Sequence, residues 1–199
     1  MAKVAFILHG YTEHKSSRPA YGAIERAFRA QGYKVHQAKI GWKQGRRSRT
    51  FDEIVPDFVS GARKHIARGD KVALLGFSFG AIVALMSAQE LGAKHLLLCS
   101  LSPYFKQDLH RIPKSWIVGV SKRYATAMRK LDFNKYVVVK AKTILLCGSN
   151  EDRMHNLEHR AHEAHRLIKG SKLIIVPGAK HDIGNPDYLA IIKEEMAKL

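Results

Sequence analysis

The sequence predicts an α/β fold in which an open, mainly parallel sheet of about six strands carries helices on both faces. Short apolar runs alternate along the chain with longer segments whose apolar residues recur at helical spacing, a pattern typical of repeated strand–helix units. The 199 residues fit one domain of ordinary size. Neither an internal repeat nor a linker-like stretch interrupts the alternation, so we expect a single domain over residues 1–199.

Each predicted element follows from this alternation. The segments predicted as strands are Val4–Leu8, Tyr33–Gln37, Val72–Leu75, His95–Cys99, Thr143–Cys147 and Leu173–Val176. The segments predicted as helices are Pro19–Gln31, Asp52–Arg68, Ala81–Leu91, Met154–Ile168 and Pro186–Ala197. Residues 103–136 are longer than a simple crossover needs and are rich in Lys and Arg. We expect one or two helices there, forming a small lid-like insertion above the sheet.

Composition and charge restrict the class of protein. Hydrophobic residues make up 46% of the chain, which favours a globular domain over a disordered one. No stretch reaches the 18 or so apolar residues that a membrane span needs. Lys and Arg number 34 against 17 acidic residues, a net charge of +17. This charge favours anionic substrates or surfaces, but a basic proteome would produce it as well, and both interpretations stay open. Without a recognition motif, nucleic-acid binding beyond non-specific charge contact is not expected.

The two cysteines, Cys99 and Cys147, each stand near the end of an apolar run. Buried thiols in a chain without a signal sequence are typical of the reducing cytoplasm. A bridge between them is conceivable if their strands are neighbours, although parallel neighbours rarely give good disulfide geometry.

The most informative motif is Gly76-Phe77-Ser78-Phe79-Gly80, which reads G-x-S-x-G. It follows an apolar strand and precedes an apolar helix, the context that a nucleophile elbow requires. Glycines flank the serine because the turn is too tight for bulky neighbours. Such a turn places the Ser78 hydroxyl at the top of the sheet, beside helix N–H groups that can receive an oxyanion, among them that of Phe79.

Other reactive side chains also follow predicted strands. His9-Gly10-Tyr11 follows the first strand, Gly148-Ser149-Asn150-Glu151-Asp152 follows the fifth, and Gly178-Ala179-Lys180-His181-Asp182 follows the last. Ligands of open parallel sheets bind beyond the carboxyl ends of the strands. A serine, an acid and a histidine therefore occur in the chain order expected of an α/β-hydrolase arrangement.

With these motifs the chain resembles a small serine hydrolase of the α/β-hydrolase superfamily, of the esterase or thioesterase kind, over nearly its whole length. The resemblance implies that Ser78 is the nucleophile, His181 the general base and Asp152 the acid that orients the histidine. It also implies an oxyanion hole formed by the backbone N–H groups of Tyr11 and Phe79. The family's first two strands have no counterpart here, and no large cap domain fits, so we expect a fold reduced at its N-terminus.

The acid of the predicted triad has two neighbouring rivals. Glu151 stands beside Asp152, and members of the family can use either type of carboxylate. Asp182 adjoins His181 in sequence and cannot easily turn back onto that ring. We therefore expect Asp152 to be the acid, with Glu151 as the alternative.

A row of histidines raises the question of a metal. His155, His159, His162 and His165 fall on one face of a predicted helix. They lack the H-E-x-x-H pattern, a cysteine and a carboxylate partner set, so an exposed helical face is the better interpretation. His9 is expected to brace its loop. The predicted chemistry requires neither a metal nor an organic cofactor.

The substrate contacts are predicted from aromatic residues near strand ends. Tyr104 and Phe105 could line an acyl pocket, and Trp116 could form the apolar face of a lid, whereas Phe77 is expected in the core. The leading hypothesis is hydrolysis of a small-molecule carboxylic ester or thioester through an acyl-enzyme on Ser78, and the positive charge favours an anionic substrate. The alternatives are an acyltransferase with the same triad and a non-catalytic protein that binds anionic partners on a hydrolase scaffold.

Overall fold

Six parallel strands form one sheet in the order β2-β1-β3-β4-β5-β6. The computed structural model describes residues 1–11, 17–38, 40–41, 48–101, 122–151 and 157–199. The strands are β1 (Lys3–Leu8), β2 (Tyr33–Ala38), β3 (Lys71–Phe77), β4 (His95–Cys99), β5 (Lys142–Gly148) and β6 (Lys172–Val176). All six predicted strands and the open parallel sheet are confirmed.

Helices connect and cover the strands. Within the described ranges they are α1 (Ser17–Ala30), α2 (Phe51–Arg63), α3 (Phe79–Ala88), α4 (Lys122–Lys130), α5 (Leu157–Leu167) and α6 (Pro186–Met196), with a 3₁₀ helix at Phe133–Tyr136. The chain runs from β1 outward to β2 and then returns to β3 on the other side of β1. Such a reversal of strand order opens a crevice at the carboxyl edge of the sheet.

The sheet has an apolar core on each face, because successive residues of a strand point to opposite sides. In β1, Phe6 joins the core beneath α2 and α3, whereas Ile7 joins the core beneath α1 and α6. Helix α3 is buried almost completely, from Gly80 to Ala88. Burying one such apolar side chain contributes roughly 1.5–3 kcal/mol, so the central strands and α3 form a rigid support for whatever follows them.

Helix ends differ from the prediction by a few residues, and local hydrogen bonds explain the largest difference. Helix α2 was expected to reach Arg68 but ends at Arg63. The Asp70 carboxylate accepts the N–H of Ala67 at 2.9 Å and the N–H of Ala2 at 2.9 Å, which forms a turn in place of another helical turn. Gly69 supplies the positive φ of 92° that this turn requires.

The described part of the predicted insertion packs onto the core. Tyr124 and Met128 of α4 and Phe133 of the 3₁₀ helix are buried in the same cluster as Phe51 of α2. Residues 102–121 lie outside the described residues. The single domain and its lid-like insertion remain predictions.

The two cysteines are free and buried on opposite faces. In the β4–β5 ladder Cys99 pairs with Leu146, so Cys147 stands one position further and points to the other side. A disulfide between them is therefore excluded in this fold. Among the described residues, no helix is long and apolar enough to cross a membrane.

One half-buried histidine makes the fold sensitive to acid. Burial lowers the pKa of His95, and the charges of Lys142, Lys3 and Lys71 lower it further. The unfolded chain therefore binds this proton more readily than the folded one. The free energy of unfolding should be unaffected by this group at high pH and should fall as the pH drops below about 6.5.

We expect His95→Gln to reduce the slope of the free energy of unfolding against pH. The reduction should be at most about 1.4 kcal/mol per pH unit, the value for one proton taken up on unfolding. Urea unfolding at several pH values between 5 and 8 measures it. Lys142→Gln should act in the same direction, because it removes one of the charges that disfavour protonation of His95. An unchanged slope in His95→Gln would contradict the assignment.

Candidate active site

Ser78 occupies the sharp turn between β3 and α3 with φ 55° and ψ −122°. A positive φ is rare outside glycine and costs of order 1–3 kcal/mol, so the surrounding structure must hold it. The Ser78 N–H donates to the carbonyl of Cys99 at 2.9 Å, and its own carbonyl accepts the N–H of Ala81 at 2.9 Å. The strained turn expected of a nucleophile elbow is thus present.

The flanking glycines have a steric reason. A Cβ on Gly76 would collide with the backbone of Gly80 and Ala81, and one on Gly80 would collide with the carbonyl oxygens of Leu8 and His9. These close approaches bring the serine turn against the end of β1. The elbow and the loop after β1 are therefore fixed relative to each other.

His181 reaches the serine from the loop after β6. Its Nε2 lies 3.1 Å from Ser78 Oγ, although the two residues are 103 positions apart in sequence. The imidazole is part-exposed and lies against the ring of Phe77, with ring centroids 4.8 Å apart. Phe77 is otherwise buried in the core, as expected.

The carboxylate in contact with this histidine belongs to Glu151. Its Oε2 lies 2.9 Å from His181 Nδ1, and its side chain is fully buried. Because a carboxylate accepts hydrogen bonds, this contact places the ring proton on Nδ1. Nε2 is then the acceptor for the Ser78 hydroxyl proton, the arrangement that general-base activation of a serine requires.

The other candidate acids have different positions. Asp152, the acid expected from the sequence, lies outside the described residues. Asp182 caps its own turn, since Oδ1 accepts the N–H of Gly184 at 2.8 Å. The described structure therefore brings Ser78 and His181 together with the alternative acid, Glu151.

The turns that carry Glu151 and His181 are joined by two hydrogen bonds from backbone N–H groups. The Asn150 N–H donates to Ala179 O at 2.9 Å, and the Gly178 N–H donates to Ser149 Oγ at 2.9 Å. A Cβ on Gly148 would collide with Ala179, so the two turns pack without space between them. This contact fixes the carboxylate relative to the imidazole.

Of the two residues expected to form an oxyanion hole, Phe79 directly follows the serine and Tyr11 contacts Phe79. Phe79 is the first residue of α3, where a helix N–H has no carbonyl of the same helix behind it. Tyr11 follows the loop after β1, and its ring contacts that of Phe79 edge-on, with centroids 5.5 Å apart. Phe51 also contacts Phe79, at 5.6 Å, and was not expected from the sequence.

His9 braces the loop after β1 through neighbouring side chains. Its ring stacks on Tyr21 with centroids 3.8 Å apart, and its Nε2 lies 3.1 Å from Gln37 Oε1. The Tyr21 hydroxyl accepts the N–H of Gly10 at 3.4 Å. These contacts agree with the bracing role predicted for His9.

The predicted substrate contacts Tyr104, Phe105 and Trp116 lie outside the described residues. A cavity of about 310 Å³ opens between β2 and α2, lined by His36, Arg49 and Phe58 among others. None of Ser78, Glu151 and His181 lines it, so we do not assign it to the acyl group.

The helical histidines do not form a metal site among the residues that the structure describes. No group of three or more His, Cys, Asp or Glu there is placed to hold a metal ion. His159 and His162 are exposed on α5, and His165 Nδ1 lies 2.9 Å from Ser171 Oγ. His155 lies outside the described residues.

Comparisons with known proteins bear on the fold. No protein-family model and no curated protein sequence matches the chain. Solved structures match it over nearly its whole length. Est1E from Butyrivibrio proteoclasticus superposes with a TM-score of 0.78 at 15% sequence identity, covering 99% of this chain and 86% of that chain.

Two further structures give the same result. MGS-MChE2, an α/β hydrolase enzyme from the metagenome of sediments from the lagoon of Mar Chica, Morocco, has a TM-score of 0.69 at 18% identity and covers 100% of this chain and 91% of that chain. The thioesterase domain from the curacin biosynthetic pathway has a TM-score of 0.66 at 14% identity, covering 98% and 91%. The chain therefore has the α/β-hydrolase fold, and the predicted resemblance is confirmed at the level of the fold.

Proposed function

We propose that this protein is a serine hydrolase that cleaves a carboxylic ester or thioester through an acyl-enzyme on Ser78. The observation that carries the proposal is the continuous hydrogen-bonded line from Ser78 Oγ to His181 Nε2, at 3.1 Å, and from His181 Nδ1 to Glu151 Oε2, at 2.9 Å. Nucleophile, base and orienting carboxylate within hydrogen-bond reach are the signature of an activated serine. The strained φ of Ser78 supports the same role.

The first half-reaction forms the acyl-enzyme. Ser78 Oγ attacks the substrate carbonyl carbon while its proton passes to His181 Nε2, and the carbonyl oxygen becomes an oxyanion. The N–H groups of Phe79 and Tyr11 stabilise that oxyanion. The tetrahedral intermediate collapses, the bond to the leaving alcohol or thiol breaks, and His181 donates the proton to the leaving group.

The second half-reaction releases the acid. Water attacks the acyl carbon and gives a proton to His181, which then returns it to Ser78 Oγ as the ester bond to the serine breaks. Throughout, the orienting carboxylate keeps the imidazole in the Nδ1-protonated tautomer and stabilises its cation.

We propose Glu151, rather than Asp152, as the orienting carboxylate. Its 2.9 Å contact with His181 and its fully buried side chain support this choice. A buried charge is retained only where it is paired and hydrogen-bonded, and this one has partners for both oxygens.

The substrate class follows from the chemistry and the charge. The structural neighbours include a thioesterase domain and an Est1E structure with bound ferulic acid, so esters and thioesters of small acids are the first compounds to test. The net charge of +17 would concentrate anionic esters near the protein. We also propose a reducing, cytoplasmic setting, which the two free buried cysteines support.

Steady-state kinetics with p-nitrophenyl acetate, butyrate and octanoate, together with a short acyl thioester, test the proposal. We expect release of free acid with one dominant chain length. Addition of an alcohol or amine acceptor, with identification of products, separates hydrolysis from acyl transfer. If the folded protein turned over none of these compounds, the proposal would fail for ordinary esters, and a non-catalytic binding protein would become the better hypothesis.

A further inference from the structure

One oxygen of the Glu151 carboxylate faces the histidine, and the other is held by donors from three separate segments. Oε1 accepts the N–H of Gly148 at 2.7 Å and the hydroxyl of Ser100 at 2.7 Å. The hydroxyl of Tyr188 lies 3.2 Å from the same oxygen. We call the Gly148 N–H, Ser100 and Tyr188 the carboxylate seat.

Ser100 contributes to the carboxylate seat from a turn with an unusual backbone conformation. It follows β4 with φ 54°, and Ser78 and Ser100 are the two non-glycine residues with positive φ in the described part of the chain. Its N–H donates to Leu146 O at 2.7 Å, which ties the strained turn to β5. Strain of this kind persists where the surrounding structure over-determines it, and it concentrates at functional sites.

Tyr188 reaches the seat from the first turn of α6 and is fully buried. Its one hydroxyl proton is shared between two acceptors, Leu146 O at 2.9 Å and Glu151 Oε1 at 3.2 Å, and its oxygen lies 3.0 Å from Ser100 Oγ. Burial and the neighbouring Glu151 raise the pKa of this phenol well above its usual range, so the hydroxyl remains a donor at any working pH. Asn185 caps α6 by accepting the Tyr188 N–H at 3.1 Å, which fixes the start of the helix.

We propose that Ser100 and Tyr188 are positioning residues of the catalytic site. By occupying Oε1 of Glu151 they leave Oε2 as the oxygen that meets His181 Nδ1, and they prevent rotation of the carboxyl group away from the imidazole. The inference rests on the proposed function, since it assigns these residues to the reaction of Ser78. Neither of them touches the reacting atoms, so they act through Glu151.

The seat also explains the type of acid at position 151. Glu151 spans from the Gly148 and Ser100 donors on one oxygen to His181 on the other. A side chain one methylene shorter cannot hold both sets of contacts without moving the backbone. Glu151→Asp should therefore lose activity even though it keeps the charge.

Two variants test the seat's hydroxyl groups by removing them with the smallest change of side chain. Tyr188→Phe removes only an oxygen atom. Ser100→Gly removes the hydroxyl and relieves the strain, because glycine adopts a φ near 54° freely. We expect each variant to lower kcat about tenfold with KM within about twofold, the effect of one well-placed hydrogen bond. Unfolding by urea should show that Ser100→Gly is at least as stable as the wild type.

Tyr33→Phe is the matched control. The Tyr33 hydroxyl is also buried and has no hydrogen-bond partner among the described residues, but it stands at the opposite end of the sheet, in β2. It should leave kcat unchanged. This control separates the effect of the seat from the general effect of removing a buried phenol oxygen.

The background of Glu151→Gln distinguishes positioning from a merely structural role. If Ser100 and Tyr188 act through Glu151, substituting either should lower activity about tenfold in the wild type. The same substitution should lower it less than about twofold in Glu151→Gln, where the carboxylate is gone. The second-order rate of fluorophosphonate labelling measures this where turnover is slow. Folded Tyr188→Phe and Ser100→Gly proteins with wild-type kcat, or with equal losses in both backgrounds, would overturn the proposal.

The proton NMR signal of His181 Nδ1–H gives a readout independent of turnover. We expect a strongly downfield resonance in the wild type, absent in His181→Gln, that shifts in Tyr188→Phe and in Ser100→Gly. A shift without any ester turnover would support the seat and contradict the proposed function. Turnover with a resonance and a kcat that do not change in either variant would support the function and contradict the seat.

Discussion

Ser78→Ala should abolish ester hydrolysis, lowering kcat by about 10⁴-fold or more, while the protein stays folded. In the proposed mechanism Ser78 Oγ forms the covalent bond to the acyl group, so its loss would leave the weak contributions of substrate binding and of the proposed oxyanion hole. Initial rates with the best nitrophenyl ester, together with circular dichroism and thermal unfolding, measure both parts of the result.

Ser87→Ala is a suitable control for this substitution. Ser87 is a buried serine of α3 whose hydroxyl donates to Val83 O at 2.7 Å, within the same helix as the elbow. We expect its activity to remain within about twofold of the wild type. Substantial turnover by a pure Ser78→Ala sample would contradict the role assigned to this serine.

Glu151→Gln should lower kcat by about 10⁴-fold, whereas Asp152→Asn should change it less than about threefold. The side-chain amide that replaces the Glu151 carboxylate can donate to His181 Nδ1, which favours the tautomer protonated on Nε2 and leaves no acceptor for the Ser78 proton. Asp152→Asn leaves the 2.9 Å contact between Glu151 and His181 in place. The two variants, assayed side by side, thus decide between adjacent acids.

The opposite pattern, with a large loss in Asp152→Asn and a small one in Glu151→Gln, would assign the carboxylate role to Asp152. Comparable losses in both would indicate that the turn after β5 has to keep both charges. Urea unfolding of each variant is needed as a control, because Glu151 is buried and its replacement could reduce stability as well as activity.

The sheet was predictable because five of its six strands contain continuous apolar runs, the pattern of strands buried on both faces, whereas the edge strand β2 reads YKVHQA and alternates apolar with polar residues. The ends of the helices were less predictable, because they depend on local contacts. One example is the Asp70 carboxylate, whose hydrogen bonds form the turn that follows α2. Helix α3 begins at Phe79, two residues before the predicted start at Ala81, because the strained Ser78 already serves as its cap.

In the candidate site, the predictable residues were those of a reactive type that follow the end of a predicted strand. Ser78 and His181 satisfy that condition, and the structure brings them within 3.1 Å. The choice between Glu151 and Asp152 was not decided by the sequence, because adjacent residues of a turn point in different directions and spacing cannot say which one meets the imidazole.

Ser100 and Tyr188 were not identified from the sequence. They belong to no motif and are 88 positions apart, and their role depends on the packing of α6 against the end of β5. A weak signal did exist, since Ser100 is a polar residue directly after a buried strand. Ser78, Glu151 and His181 also lie in loops that follow strands.

The most direct test of the central claim is labelling of the wild-type protein with a fluorophosphonate, followed by peptide mapping of the adduct by mass spectrometry. We predict a single stoichiometric adduct on Ser78, absent in Ser78→Ala and strongly slowed in His181→Gln. A folded wild-type protein that takes up no label, or that carries the label on another residue, would contradict the claim that this serine is an activated nucleophile.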